Sequence, residues 1–274
     1  MLVGHGVIII SYLLSTWNYL SYLFFQKDKF HEWGYRWFMI GFVGLTGLIA
    51  FQWYQIGHLP VHNLQGNLWC ISWSLSFVFL LLNHRLHLKV LGSYTAPFVL
   101  VLMIISACVP VSGIQVQHNV FVNIWLVFHV VLTFAGESAL CLAFGVGFLY
   151  LVQERTIKYK RNRFFLKRLP SLEQLDYTGY NFVVYGFVLL TIGLLAGLVY
   201  AKAIWGHFIR WDIKEIWTGI SWLIYAVLLH GRVVAGWRGH RSAVMAMIGF
   251  LILIFTFFGV NFLLTGHHGT FTQF

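Results

Sequence analysis

The chain has 274 residues, 59% of them hydrophobic, and its charged side chains are 18 Lys and Arg against 8 Asp and Glu. At 9% charged, where soluble domains carry about 25%, it has too little polar surface to cover a water-exposed globule, and a mean hydropathy of +0.76 fits a bilayer instead. A net charge of +10 suggests nucleic acid only if the cations gather on one surface; here they sit in short loops between apolar runs, so no nucleic-acid partner is expected.

Eight apolar segments follow in chain order at about 3–25, 37–56, 67–83, 91–110, 121–152, 176–200, 216–235 and 242–265. Runs of about 20 residues predict an all-α polytopic membrane protein with eight transmembrane helices, where a barrel would show ~10-residue alternating strands. No basic stretch and no small-residue cleavage site precede Lys27, so the first run is expected to stay as a helix. With no long linker, low-complexity stretch or clear repeat, residues 1–274 read as a single membrane domain. Cys70, Cys108 and Cys141 each lie in an apolar run without CxxC spacing, which suits neither a redox pair nor a thiolate metal site.

The loops set an orientation. Those near 26–36, 84–90, 153–175 and 236–241, together with Arg232, hold all the basic residues except Lys202, Arg210 and Lys214. The positive-inside rule then predicts that both termini lie outside. The basic loop from Glu154 to Leu175 is read as this topology signal, touching anionic headgroups, and Ser171 with Gln174 has the spacing of a capping box at a helix start. Gly41, Gly44 and Gly47, and the pair Gly193 and Gly197, suggest close helix packing.

Thirteen histidines are many for so apolar a chain. His31, His84, His87 and His240 fall in the basic loops, and His5, His58, His62, His118 and His207 near the outer face, where interfacial roles are expected. Four remain. About 20 residues back from Gln153, the fifth segment reaches His129 near the outer boundary, and the same count from Ser242 leaves His267 and His268 just beyond the eighth. The connection YAKAIWGHFIRWDIKEIW, residues 200–217, opens at that depth. It sets Trp205, Trp211 and Trp217 six apart among Lys202, Arg210 and Lys214, with Asp212 and Glu215 the only acids.

Flat indoles beside cations suit a large planar ligand with carboxylates, and paired neutral imidazoles suit a low-spin iron porphyrin; the predicted ligand is haem. His230 sits about 14 residues below the outer end of the seventh segment. An ionisable group at that depth is a functional candidate, and an iron there would take its second ligand from another polypeptide. Glu137, two turns below His129, fits a proton relay, an orienting partner or a polar helix contact. No nucleophile, carboxylate dyad or GxSxG motif supports hydrolase chemistry.

The run WGHFIRWDIKEIWTGISWLIYAVLLHGR, Trp205 to Arg232, resembles the tryptophan-rich WWD signature of haem-handling proteins in cytochrome c biogenesis, the CcsA/CcmC/CcmF family. GHLPVHNLQGNLWCISW (Gly57 to Trp73), NIWLVFHVV (Asn123 to Val131), YLVQERTIK (Tyr150 to Lys158), KRLPSLEQLD (Lys167 to Asp176), GWRGHRSA (from Gly236) and GVNFLLTGHH (to His268) extend the resemblance over most of the chain. Eight segments in this order fit the CcsA type of system II.

The resemblance implies that haem b, carried as substrate, is moved to the outer face of a bacterial inner membrane and held there. The holding groups would be two external histidines and the WWD loop, and a CcsB-type partner would assist its attachment to the CxxCH motif of apocytochrome c. His129 matches the first external ligand; the second matches the doublet, where His268 aligns better than His267. His230 matches the membrane-embedded histidine. The pattern departs at Tyr200 and Ile209, where tryptophan is frequent, at Ile213, a usual proline, and at Gly66, near a frequent acid. HemX-like haem-binding regulators or carriers share much of the pattern and are the alternative to a synthase subunit.

Overall fold

A computed structural model describes residues 2–61, 63–86, 88–109, 123–159, 168–209 and 211–259. Among these residues there is no strand, and eight helices are long and apolar enough to cross a membrane. They are α1 (Leu2–Phe25), α2 (Asp28–Ile56), α3 (Leu64–Leu86), α4 (Gly92–Cys108, entered through a 3-10 turn at Lys89–Leu91), α5 (Ile124–Tyr159), α6 (Leu172–Trp205), α7 (Ile213–Val234) and α8 (His240–Ile254). A π-helical turn, Phe255–Gly259, continues α8. The chain is a multi-pass helical membrane protein.

Helix ends differ from the apolar runs where polar residues continue a helix out of the apolar region. α2 begins at Asp28, nine residues ahead of its run, because DKFHEWGYR is helical but too polar for hydropathy to mark. α5 and α6 have 36 and 34 residues, ~54 and ~51 Å long, well beyond a ~30 Å hydrocarbon core. Ser171 caps α6 as its spacing predicts, its hydroxyl accepting from the Gln174 N–H at 3.2 Å.

The helices gather into two compact units, the first ending at Asn123 and the second beginning at Ile124. In the first, α1 and α2 run antiparallel, Gly34 against the ring of Tyr19, Gly41 against Tyr12 and Gly44 against Ile8, whereas Gly47 faces open space. Tyr12 is fully buried and shares a 3.0 Å hydrogen bond with Ser76, above edge-on contacts of Tyr12 with Phe38 and Phe38 with Phe79. Two histidines expected at the interface are instead buried here. His5 bonds Ser106 at 3.1 Å, and His58 bonds the Leu59 carbonyl at 2.8 Å. Asn63 starts α3 by accepting the Gly66 N–H at 2.7 Å, and a side chain on Gly66 would strike the Pro60 carbonyl.

In the second unit the register between α5 and α6 is antiparallel and tight. Gly136 lies against Leu190 and Gly186, Gly193 against Thr133, and Gly197 against His129. A methyl group on Gly136 would come 2.7 Å from the Leu190 nitrogen and 2.9 Å from the Gly186 carbonyl, both backbone atoms. Gly136→Val is therefore expected to destabilise the protein by about 1–3 kcal/mol, while Gly47→Ala, in open space, does not. Thermal unfolding of the detergent-purified variants, followed by tryptophan fluorescence, checks this.

Candidate functional site

The α6–α7 connection is built by local capping at both ends. Gly206 ends α6 in the left-handed conformation (φ 78°), its N–H donating to the Lys202 carbonyl at 3.1 Å. Lys202 folds back to donate to the Gly206 carbonyl at 3.0 Å and lies 5.3 Å over the Phe208 ring, so this predicted ligand-pairing cation also closes the helix end. At the start of α7, Asp212 accepts the Glu215 N–H at 2.8 Å, and Glu215 accepts the Trp211 N–H at 2.9 Å. The acid of the WWD motif is thus the N-cap of α7. The Asp212-x-x-Glu215 spacing is a capping signal that can be read along the chain.

This capping fixes three different settings for the three tryptophans. Trp205 meets Tyr200 edge-on at 5.7 Å, and Trp217 meets Phe255 edge-on at 4.7 Å. Trp211 is 75% exposed and has φ 59°, a conformation a bulky residue adopts only where neighbours impose it. The flanking pair of hydrogen bonds imposes it here, holding an indole out from the connection. Arg210 lies outside the described residues; Lys214 is in the first turn of α7, with its side chain outside them.

His129 is half-buried one turn above Thr133, which donates to its carbonyl at 2.6 Å. Its Nδ1 lies 2.8 Å from the Gly193 carbonyl of α6. A carbonyl only accepts, so Nδ1 carries the proton and Nε2 keeps the lone pair, the tautomer required of a neutral metal ligand bonded through Nε2. Gly197 completes the seat: a methyl group there would lie 2.6 Å from Nδ1. Gly193 and Gly197 pack helices as their spacing predicts, but the seat they form for His129 cannot be read from the chain, because the register of α5 on α6 is a tertiary property.

The contacts of Thr191 and Phe187 with Trp222 bring the first turn of α7 to about the level of His129. His129, at the level of Gly193 and Gly197, thus lies on the side of the helices where α6 leads into the connection, about nine residues of α6, or ~14 Å, from Gly206. His267 and His268 lie outside the described residues, beyond the π turn at Phe255–Gly259. Glu137 is half-buried on α5, two turns below His129.

His230 is at the other end of the same helices. Arg232 meets Asp176, and Gly179 meets Val146, which sets His230 about 17 residues of α5, or ~26 Å, from His129. The two imidazoles cannot share an iron. His230 is exposed, and with Ile216, Ile220, Leu223, Val227 and Val234 it forms a stripe at alternating spacings of four and three along α7. That is the spacing of a helix–helix seam.

Among the described residues no group of three or more His, Cys, Asp or Glu is placed to hold a metal ion. A profile described as cytochrome C assembly protein matches residues 61–268. The chain belongs to the cytochrome c assembly family. Curated relatives named cytochrome c biogenesis protein CcsA are similar over nearly the whole length. That of Prochlorococcus marinus (strain MIT 9215) is 30% identical over 267 residues, covering 89% of this chain and 86% of its own. That of Atropa belladonna is 31% identical over 294 residues, covering 95% and 93%, and that of Guillardia theta 30% over 285 residues, covering 97% and 94%. Membership of the CcsA-type family establishes a role in cytochrome c biogenesis, and the matched region takes in His129, His230 and the α6–α7 connection.

Proposed function

We propose that the chain is the haem-presenting subunit of a system II cytochrome c synthase. The observation that carries this is the seat of His129, whose Nδ1–H is directed to the Gly193 carbonyl of α6, the helix that leads into the connection holding Trp211 outward. In this reading His129 and one of His267 and His268 hold the iron from two sides at the outer face of a bacterial inner membrane. Trp211 supplies a stacking plane, Trp205 and Trp217 add aromatic surface from the same motif, and Lys202, Arg210 and Lys214 pair with the propionates.

The reaction adds each cysteine S–H of a CxxCH motif across one vinyl group, sulfur bonding to one carbon and hydrogen to the other, with no leaving group. Haem supplies the vinyl groups and the iron. The chain's own residues orient them: the imidazoles hold the iron until the cytochrome's histidine replaces one of them, and the indole sets the plane. His230 ligates haem at the other end with a ligand from a CcsB-type partner, and the exposed stripe of α7 is the surface that partner's helix covers.

Co-expression with a CcsB-type partner and a CxxCH reporter tests the assignment. Covalent haem on the reporter that disappears with His129→Ala is expected. Haem bound to the purified chain with none transferred would instead indicate a HemX-like carrier, and no haem absorbance at all would end the proposal.

A further inference from the structure

Where α6 begins and α7 ends, the second unit borders an open recess of about 760 Å3 that the proposed site at His129 does not use. Its volume lies in the range of small-molecule sites. Tyr177 and Tyr180 of α6, Arg232 and Val233 of α7, and Arg238 of the α7–α8 connection line it, with Asp176 behind.

The two arginines differ in what they are bound to. Arg232 donates to both oxygens of Asp176 at 2.8 and 2.7 Å and stacks 4.4 Å over the Tyr180 ring, so its charge is answered and its orientation locked. Asp176 is further occupied by the Gly239 N–H at 2.8 Å. Arg238 is exposed, and the ion pairs found among the described residues are Lys89–Asp28, Arg232–Asp176 and His240–Glu154. Its guanidinium therefore remains available to an anion, with the exposed Glu173 the other acid of the wall. Apolar surface flanks it: Tyr177 is 62% and Val233 73% exposed at the end of membrane-crossing helices. Val233 lies one turn from His230 on α7, so the recess opens beside the His230 face.

A locked guanidinium–tyrosine floor, an available guanidinium and an apolar rim at a membrane helix end match one ligand chemistry. We propose that this recess binds an anionic amphiphile, its carboxylate or phosphate on Arg238 and its apolar body against Tyr177 and Val233. Two sources carry that chemistry, an iron porphyrin with its propionates and an anionic phospholipid. The first rests on the haem reading above and makes the recess the loading point for His230.

The test uses the full chain in nanodiscs, in the His129→Ala background so that the opposite end does not contribute. One arm titrates iron protoporphyrin and its dimethyl ester in phosphatidylcholine discs, read by tryptophan quenching; the other measures retained phosphatidylglycerol by native mass spectrometry. Arg238→Glu is expected to weaken porphyrin binding about ten-fold and to abolish its preference over the ester, or to strip the retained phosphatidylglycerol. Val233→Trp, which fills the recess without changing a charge, is expected to do the same. Whichever arm responds names the source. If both variants leave both arms unchanged, the recess binds neither and the proposal is overturned, while haem bound by every variant would leave the haem reading standing. Phosphatidylglycerol lost from Arg238→Glu, when neither these forms nor the chain with His129 intact binds haem, would overturn the haem reading and keep the recess.

Discussion

Gly197→Ala is expected to remove most of the haem that His129→Ala removes, although the imidazole is still in the chain. The added methyl group would come 2.6 Å from Nδ1, so the ring must turn or leave its 2.8 Å bond to the Gly193 carbonyl. Either movement misdirects Nε2. Loss of a partner that orients a metal-bound histidine weakens binding by roughly 10–100-fold. Alanine favours a helix interior over glycine by about 1 kcal/mol, so the variant is expected to accumulate as folded protein. Haem content and visible spectra of purified His129→Ala, Gly197→Ala and wild type provide the measurement. Equal haem and an unchanged spectrum in Gly197→Ala would show that the seat does not orient a ligand.

Asp176→Ala is expected to be the most destabilising single change at the opposite end, costing about 3 kcal/mol. Its carboxylate joins three helices, accepting two hydrogen bonds from Arg232 of α7 and one from the N–H of Gly239 at the entry to α8, while standing on α6. The two side chains are 17% and 11% exposed, so removing the carboxylate leaves a guanidinium with little access to water. Breaking a pair buried to this degree costs more than exchanging both partners for apolar residues of similar size. The double variant Asp176→Leu/Arg232→Met should accordingly unfold at a higher temperature than Asp176→Ala. A double variant less stable than the single would mean that the ion pair is not what holds these helix ends together. Because Arg232 is two residues from His230, Asp176→Ala should also lower delivery of haem to the reporter cytochrome.

The site was legible in proportion to how local its determinants are. The tryptophan spacing, the single histidine of the fifth segment and the capping signal at Ser171 are all readable along the chain, and the last appears in the structure as expected. Lys202 was less legible. Besides its expected place as a ligand cation it closes the end of α6, because a lysine four residues before a left-handed glycine can reach that glycine's carbonyl. The three indoles looked equivalent at a spacing of six, yet their partners, Tyr200 on α6 and Phe255 beyond α8, depend on which helices meet.

The burial of His5 and His58 was hidden for the same reason. Hydropathy locates a residue along the membrane normal but not around the axis of its helix or against its neighbours. Composition and the length of the apolar runs were sufficient for the eight crossing helices, since a ~30 Å hydrocarbon layer leaves the backbone few other ways to satisfy its hydrogen bonds. Only the tertiary structure decided that Gly193 and Gly197 seat His129, that Arg232 is held by Asp176, and that His230 stands ~26 Å from His129 on an exposed face. Those features follow from the antiparallel register of packed helices, and a register is set by many side chains interlocking at once, which no single segment encodes.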